Sequence, residues 1–225
     1  SAAKYVAATV QEIIRDSSVY SIESVTIVEI MGRHAGWLTA STCVLRANDE
    51  IAPHLIYLPE NNFTAEKFLE DIRNQMAKHK AVIIAVSEGV KLKGEENKPR
   101  VVDNFGHEYL SGIGKTLEQL VKENIGCKVR SIELNVMQRC SHICSKTDID
   151  EAEEIGSAGV KAALAGKTGK MMIFKRISDV PYVVTVDSVD AHDAANKEKF
   201  FPAQWLSEDG NDVKPEAVRY FLPLI

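Results

Sequence analysis

Val25-Thr26-Ile27-Val28-Glu29-Ile30-Met31-Gly32-Arg33-His34-Ala35-Gly36-Trp37-Leu38 joins an apolar, β-branched run to a turn with two glycines, and a helix-compatible segment, Thr39 to Ala47, follows at once. The pattern predicts a strand running into a turn and then a helix, the place where open α/β sheets put their ligands. Gly32 permits a sharp turn or the close approach of a ligand, and Gly36 close packing of the helix. Arg33, at the turn itself, presents a planar fork of donors that suits a phosphate. The competing account is structural: an exposed Arg at a strand end that pairs with a surface acid.

Working outward, Ala81-Val82-Ile83-Ile84-Ala85-Val86 is an unbroken apolar run, the signature of a strand buried on both faces of a parallel sheet. Ser87-Glu88-Gly89 lies just past its end, so Glu88 offers a carboxylate to sugar hydroxyls at the ligand-binding edge. Leu55-Ile56-Tyr57-Leu58, closed by Pro59-Glu60, reads as a third strand and the alternating stretch from Lys128 to Leu134 as a fourth. Helices are expected over 1–16, over 65–79 behind a Thr64 cap, over 113–124 and over 215–221. Another is expected from Asp148 to Leu164, capped by Asp148 or Asp150, with Ala152, Ile155, Gly159 and Ala163 turned inward against a neighbour. Met171–Phe174 and Tyr182–Val186 read as a strand pair, and 91–102 as a surface loop. The fold class predicted is α/β: a three-layer, Rossmann-like, mostly parallel sheet with helices on both faces.

The chain of 225 residues is long enough for one large α/β domain or two small ones. A net charge of −5 argues against nucleic acid or an anionic membrane as partner. No apolar run approaches the roughly 20 residues of a membrane span, and no signal-peptide pattern is visible at the start, so a cytoplasmic setting is expected. Cys140-Ser141-His142-Ile143-Cys144 lacks the spacing of a structural zinc site, and reduced thiols are expected. Gly112-Ile113-Gly114-Lys115-Thr116 is no phosphate loop, since Tyr109 stands where the pattern needs glycine. Asp209-Gly210-Asn211-Asp212 lacks the closing glutamate of a calcium loop. The first helix starts without a clear cap, which suggests a piece of a longer chain.

Met31-Gly32-Arg33-His34-Ala35-Gly36-Trp37 resembles the sugar-phosphate motif of the phosphofructokinases, nearest to their longer, pyrophosphate-using members. Ser87-Glu88-Gly89 and Gln138-Arg139 follow in the matching order, and the resemblance covers nearly the whole chain as the C-terminal part of such an enzyme. It implies transfer of a phosphoryl group from pyrophosphate or ATP to the 1-hydroxyl of fructose 6-phosphate, in glycolysis, with Mg2+ bound mainly by an upstream part. It implies that Met31, Gly32, Arg33, Glu88, Arg130, Val136, Met137, Gln138 and Arg139 bind substrate. Arg33 would also reach the phosphoryl group in transit, and Arg130 and Arg139 would hold the sugar phosphate. Lying on or after strands of one sheet, the three arginines are expected to converge on one dianion.

The chain departs from the family at Val136, where many members place a His or Tyr that touches the sugar, and at Cys140-Ser141, which replace a Gly-Gly pair. The family's Gly-Gly-Asp and Thr-Ile-Asp-x-Asp stretches, for the phosphoryl donor and the general base, have no counterpart, so this part alone is expected to be inactive. The resemblance also implies a sugar-phosphate domain over 1–139, a segment over 140–190 that crosses back to the donor-side domain, and a tail over 191–225 that packs on the first. A homo-oligomer is implied, with arginines reaching across subunits; one of these would stand just before the first strand, where Ser24 or its neighbours are found. The second class of function is a non-catalytic sugar-phosphate-binding or regulatory module.

Overall fold

The computed structural model describes residues 1–48, 51–94 and 112–225. Helix α1, Ala2–Ser18, leads into strand β1, Ser24–Ile30. A short α2, Trp37–Ala40, continues as a 3-10 helix over Ser41–Asn48, where one continuous helix was expected. Then follow β2, Leu55–Tyr57, α3, Ala65–Met76, β3, Ala81–Ser87, α4, Ile113–Asn124, and β4, Lys128–Glu133. The strands form one sheet in the order β2-β3-β1-β4, and every pairing is parallel. The expected 91–102 loop falls mostly outside the described residues.

Strand periodicity divides the core into two layers. Val28 and Ile30 of β1, with Ile56, Ile83 and Ala85, meet Val6, Val10 and Ile14 of α1 and the buried Cys43, Val44 and Leu45. Val25 and Ile27, with Tyr57, Val82 and Ile84, meet Phe68 and Ile72 of α3 and Leu117 and Val121 of α4. The predicted three-layer α/β arrangement is therefore the one found. Thr64 caps α3 as expected, its hydroxyl accepting the Lys67 N–H at 3.2 Å.

After β4 come α5, Met137–Cys140, and α6, Lys146–Leu164, then an antiparallel pair, β5, Lys170–Asp179, and β6, Tyr182–Asp190. The cap of α6 is Ser145, not Asp148 or Asp150. No residue of α6 is buried: Ile155 and Gly159 are half-buried, with Gly159 facing Met172, but Ala152 and Ala163 are exposed, so only part of the expected face packs inward. Its start is held by Thr147, which donates to the Pro223 carbonyl at 2.9 Å, and by Asp148, paired with the N-terminal amine; farther along it lies against the two-stranded hairpin, which is too narrow to cover a helix face. The hairpin is tied to the rest by Arg176, whose guanidinium lies 4.8 Å from the Tyr182 ring and 4.3 Å from the Tyr220 ring and donates to the Tyr220 carbonyl at 2.9 Å.

Two short α-helices follow, α7, Ala191–Ala194, and α8, Pro215–Phe221. Between them the chain covers the outer edge of β2: the Asn211 carbonyl accepts the Ile56 N–H at 2.8 Å, and Arg46 donates to both oxygens of Asp212 at 2.8 Å. An edge strand so covered presents no free ladder for another chain.

At the opposite end of β2, His54 accepts the Ile83 N–H on Nδ1 at 2.9 Å and lies against the His79 ring, centroids 4.4 Å apart. Burial first, and the neighbouring His79 second, hold its pKa down at about 4, against 6.5 for a free imidazole. The unfolded chain therefore binds the proton more readily, and the stability His54 supplies is present above pH 6.5 and lost as pH falls from 6.5 towards 4. In urea unfolding followed from neutral pH downward, the wild type is expected to lose more stability across that window than His54→Asn. Equal slopes would contradict this account of His54.

Candidate functional site

Because the strands run parallel, the loops after β1, β3 and β4 meet at one edge of the sheet. The Glu88 N–H reaches the Ile30 carbonyl at 2.9 Å and the Leu134 N–H the Glu29 carbonyl at 3.0 Å, so the ladders run to the mouths of these loops. Beyond them the Met31–Gly36 segment turns sharply. The Ala35 N–H closes on the Gly32 carbonyl at 3.1 Å, and Arg33 takes a φ of 50°, unusual for a residue with a side chain.

Three acidic or amide side chains hold this turn by its backbone. Glu88 Oε1 accepts the N–H groups of Gly32 and Arg33 at 3.1 and 2.9 Å, a carboxylate in a concavity of successive amides. Gln138, only 3% exposed, accepts the Met31 N–H at 3.1 Å and donates to the Met31 carbonyl at 3.0 Å. Glu60 accepts the Gly36 N–H at 3.0 Å and the Phe201 N–H at 2.7 Å. The loop is further pinned by the indole N–H of Trp37, which donates to the Lys199 carbonyl at 2.6 Å, and by His34, 3.0 Å from Glu198. Gly89 is required beneath it, because a Cβ there would lie 1.8 Å from the Arg33 carbonyl oxygen.

With their backbones held in this way, the side chains of Arg33 and Arg139 are left exposed at the same edge, and among the described residues neither guanidinium has a partner. Val136 and Met137 present exposed apolar surface beside Arg139. Arg130 is elsewhere. It sits early in β4, opposite Thr26, and its guanidinium donates to Thr26 Oγ1 at 3.2 Å, Ser17 Oγ at 3.2 Å and Asp16 at 2.5 Å, near the end of α1. Within this chain two arginines share the edge, and the expected convergence of three is not found. Nine residues of separation leave Arg130 near the other end of the strand.

Two anchoring carboxylates were not singled out in the sequence. Glu60 follows a strand in the same way as Glu88, and that placement was the available signal. Glu29 interrupts the apolar run of β1 and is buried, accepting the N–H groups of Gly112 and Gly114 at 3.0 and 2.7 Å at the start of α4. Burial raises its pKa, and those two hydrogen bonds oppose the shift. Among the described residues no group of three or more His, Cys, Asp or Glu side chains is placed to hold a metal ion.

A phosphofructokinase family model matches residues 1–163, which include every site residue named above except Phe201, Lys199 and Glu198. The chain belongs to the phosphofructokinase family. It is similar to the pyrophosphate–fructose 6-phosphate 1-phosphotransferases of Halomonas elongata and Xanthomonas campestris, each 36% identical over the whole of this chain and 55% of their own length. A sulfofructose kinase from Alkalicoccus urumqiensis is 29% identical over 96% of the chain and 53% of its own length. The crystal structure of the pyrophosphate-dependent phosphofructokinase from Marinobacter aquaeolei superposes with a TM-score of 0.85 at 30% identity, covering all of this chain and 54% of that one. The chain thus spans about half the length of these relatives and matches their C-terminal half.

The closeness of Gly89 to Arg33 can be tested by substitution. Gly89→Ala must displace the turn backbone, and overpacking of this kind costs about 1–3 kcal/mol. A lowered urea midpoint is expected; an unchanged one would show that the turn has room to spare.

Proposed function

We propose that this chain forms the acceptor-sugar part of a 6-phosphofructokinase, which binds fructose 6-phosphate while a phosphoryl group passes to its 1-hydroxyl and fructose 1,6-bisphosphate forms. The observation that carries this reading is the pair of guanidiniums, Arg33 and Arg139, unpartnered among the described residues, on backbones fixed at the carboxyl edge of the sheet. Pyrophosphate is the donor we favour over ATP, supported by the names of the relatives. Setting the protein in the cytoplasm and in glycolysis belongs to the same proposal.

Arg139 holds the 6-phosphate, and Arg33 stabilises the charge on the moving phosphoryl group. Glu88 Oε2, which takes no hydrogen bond from a described residue, accepts from a sugar hydroxyl, while Val136 and Met137 line the sugar's carbon skeleton. The backbone of Met31 and Gly32 forms the floor. Arg130 acts on the sugar phosphate of a neighbouring copy in a homo-oligomer, since its place near the other end of β4 keeps it from this chain's own site. Magnesium, when bound, offsets the charge of the donor; none of the described residues is assigned to it. Neither nucleic acid nor membrane is proposed as a partner; among the described residues no helix is long and apolar enough to cross a membrane.

Each charge-assisted hydrogen bond contributes about 1.5–3 kcal/mol, so loss of either arginine should weaken sugar-phosphate binding roughly tenfold to a hundredfold. In the full-length enzyme with saturating donor, Arg33→Ala is expected to lower kcat as well as affinity, and Arg139→Ala chiefly to raise KM. Lysine restores neither fully, since a point charge does not reproduce the fork. A rise in KM alone for Arg33→Ala would remove it from the chemical step. The 225-residue chain by itself is expected to show no turnover, for want of the donor and general-base stretches; turnover with pyrophosphate or ATP would refute this.

The segment 140–190 we assign to packing against the half of the relatives' length that this chain lacks. Its exposed apolar side chains support this: Ile149, Val160, Leu164, Met171, Ile177 and Val180. Hydrogen exchange on the isolated chain should find these residues far less protected than Ala81–Ser87; equal protection would count against the assignment.

A further inference from the structure

We infer that Gln138 is a positioning residue that sets Arg33 and Arg139 in register through the backbone of Met31, and that it does not itself touch the sugar. This rests on the proposal that the two arginines bind a sugar phosphate. The need for such a residue follows from the sheet. The last β1 residue paired in the β3 ladder is Ile30, opposite Ser87, and on the other side pairing ends at Glu29 and the Leu134 N–H. Met31 therefore lies one residue beyond the β3 ladder and two beyond the β4 ladder, with a donor and an acceptor for which no strand supplies a partner. A part-buried peptide group left so is costly.

The buried amide of Gln138 supplies both partners in one plane, at 3.1 and 3.0 Å, as a neighbouring strand would. Arg33 stands two residues after Met31, and Arg139 is the residue after Gln138. The two guanidiniums, one on the turn after β1 and the other on α5, make no hydrogen bond or ion pair with a described residue. The paired amides are thus a direct cross-link between their backbones. Glu88 then fixes the turn on the Arg33 side alone. A glutamine used in this way, in a residue 3% exposed, has its amide facing backbone and not the open edge.

Two variants test this in the 225-residue chain, with amide hydrogen exchange at Met31, Gly32 and Arg33 as one readout and fructose 6-phosphate affinity as the other. Gln138→Leu removes both bonds. Gln138→Glu keeps the acceptor for the Met31 N–H but, when ionised, sets an oxygen against the Met31 carbonyl; when protonated, it donates there as the glutamine does. Exchange at the three amides should quicken in Gln138→Leu, and in Gln138→Glu above neutral pH. Affinity relative to wild type at the same pH should fall about tenfold in both. On acidification Gln138→Glu, and not Gln138→Leu, should regain slow exchange and affinity together. Glu88 is present in every protein compared, so the ratio to wild type isolates position 138.

Affinity lost with unchanged exchange would mean that Gln138 touches the sugar, and the inference would fall. Unchanged affinity in both variants, in a wild type that binds, would overturn it as well. If Gln138→Leu does not fold, the acid recovery of Gln138→Glu decides alone. If the wild type does not bind fructose 6-phosphate, the substrate reading fails, and the exchange data still decide whether Gln138 holds the turn.

Discussion

A parallel sheet must be covered on both faces, because its connections place helices there and its strands carry no polar side. Here that constraint falls on β1, all seven of whose residues are buried, between β3 and β4. Once β1 is central and its partners run the same way, their following loops have one place to meet. The site at that edge is a consequence of covering the sheet.

Within the edge, charge is divided between two tasks. The acceptors Glu88, Gln138, Glu60 and Glu29 all engage backbone N–H groups. The donors Arg33 and Arg139 are left open among the described residues. Carboxylates are suited to the first task, since one oxygen can take two N–H groups, as Glu88 Oε1 does. Guanidiniums suit the second, since they offer planar donors to an oxyanion without further reorganisation.

The strands and the two-sided core were legible because hydrophobic period maps directly onto faces, as in Ala81–Val86. The edge loops were legible too, since a strand's end is visible in sequence. What stayed hidden was height along a strand. Arg130 lies on β4 and Arg139 beyond its end, and only the register of Arg130 with Thr26 reveals that it sits early in the strand, away from the site. The role of Gln138 was hidden for another reason: an amide beside an arginine reads as a ligand contact, and nothing local says that a backbone group 107 residues away lacks a partner. The small-residue face of α6 misled because periodicity signals a face without saying whether its partner is present.

The aromatic cluster around the loop has a spectroscopic consequence. The chain has two tryptophans, Trp37 and Trp205, and their rings stand 6.2 Å apart, among Phe201 and Tyr220. Trp37 is four residues from Arg33 and carries Lys199 over its ring at 5.4 Å. Intrinsic tryptophan emission from this protein therefore originates at one place, against the loop that bears Arg33. It is a built-in optical probe of that loop, needing no label.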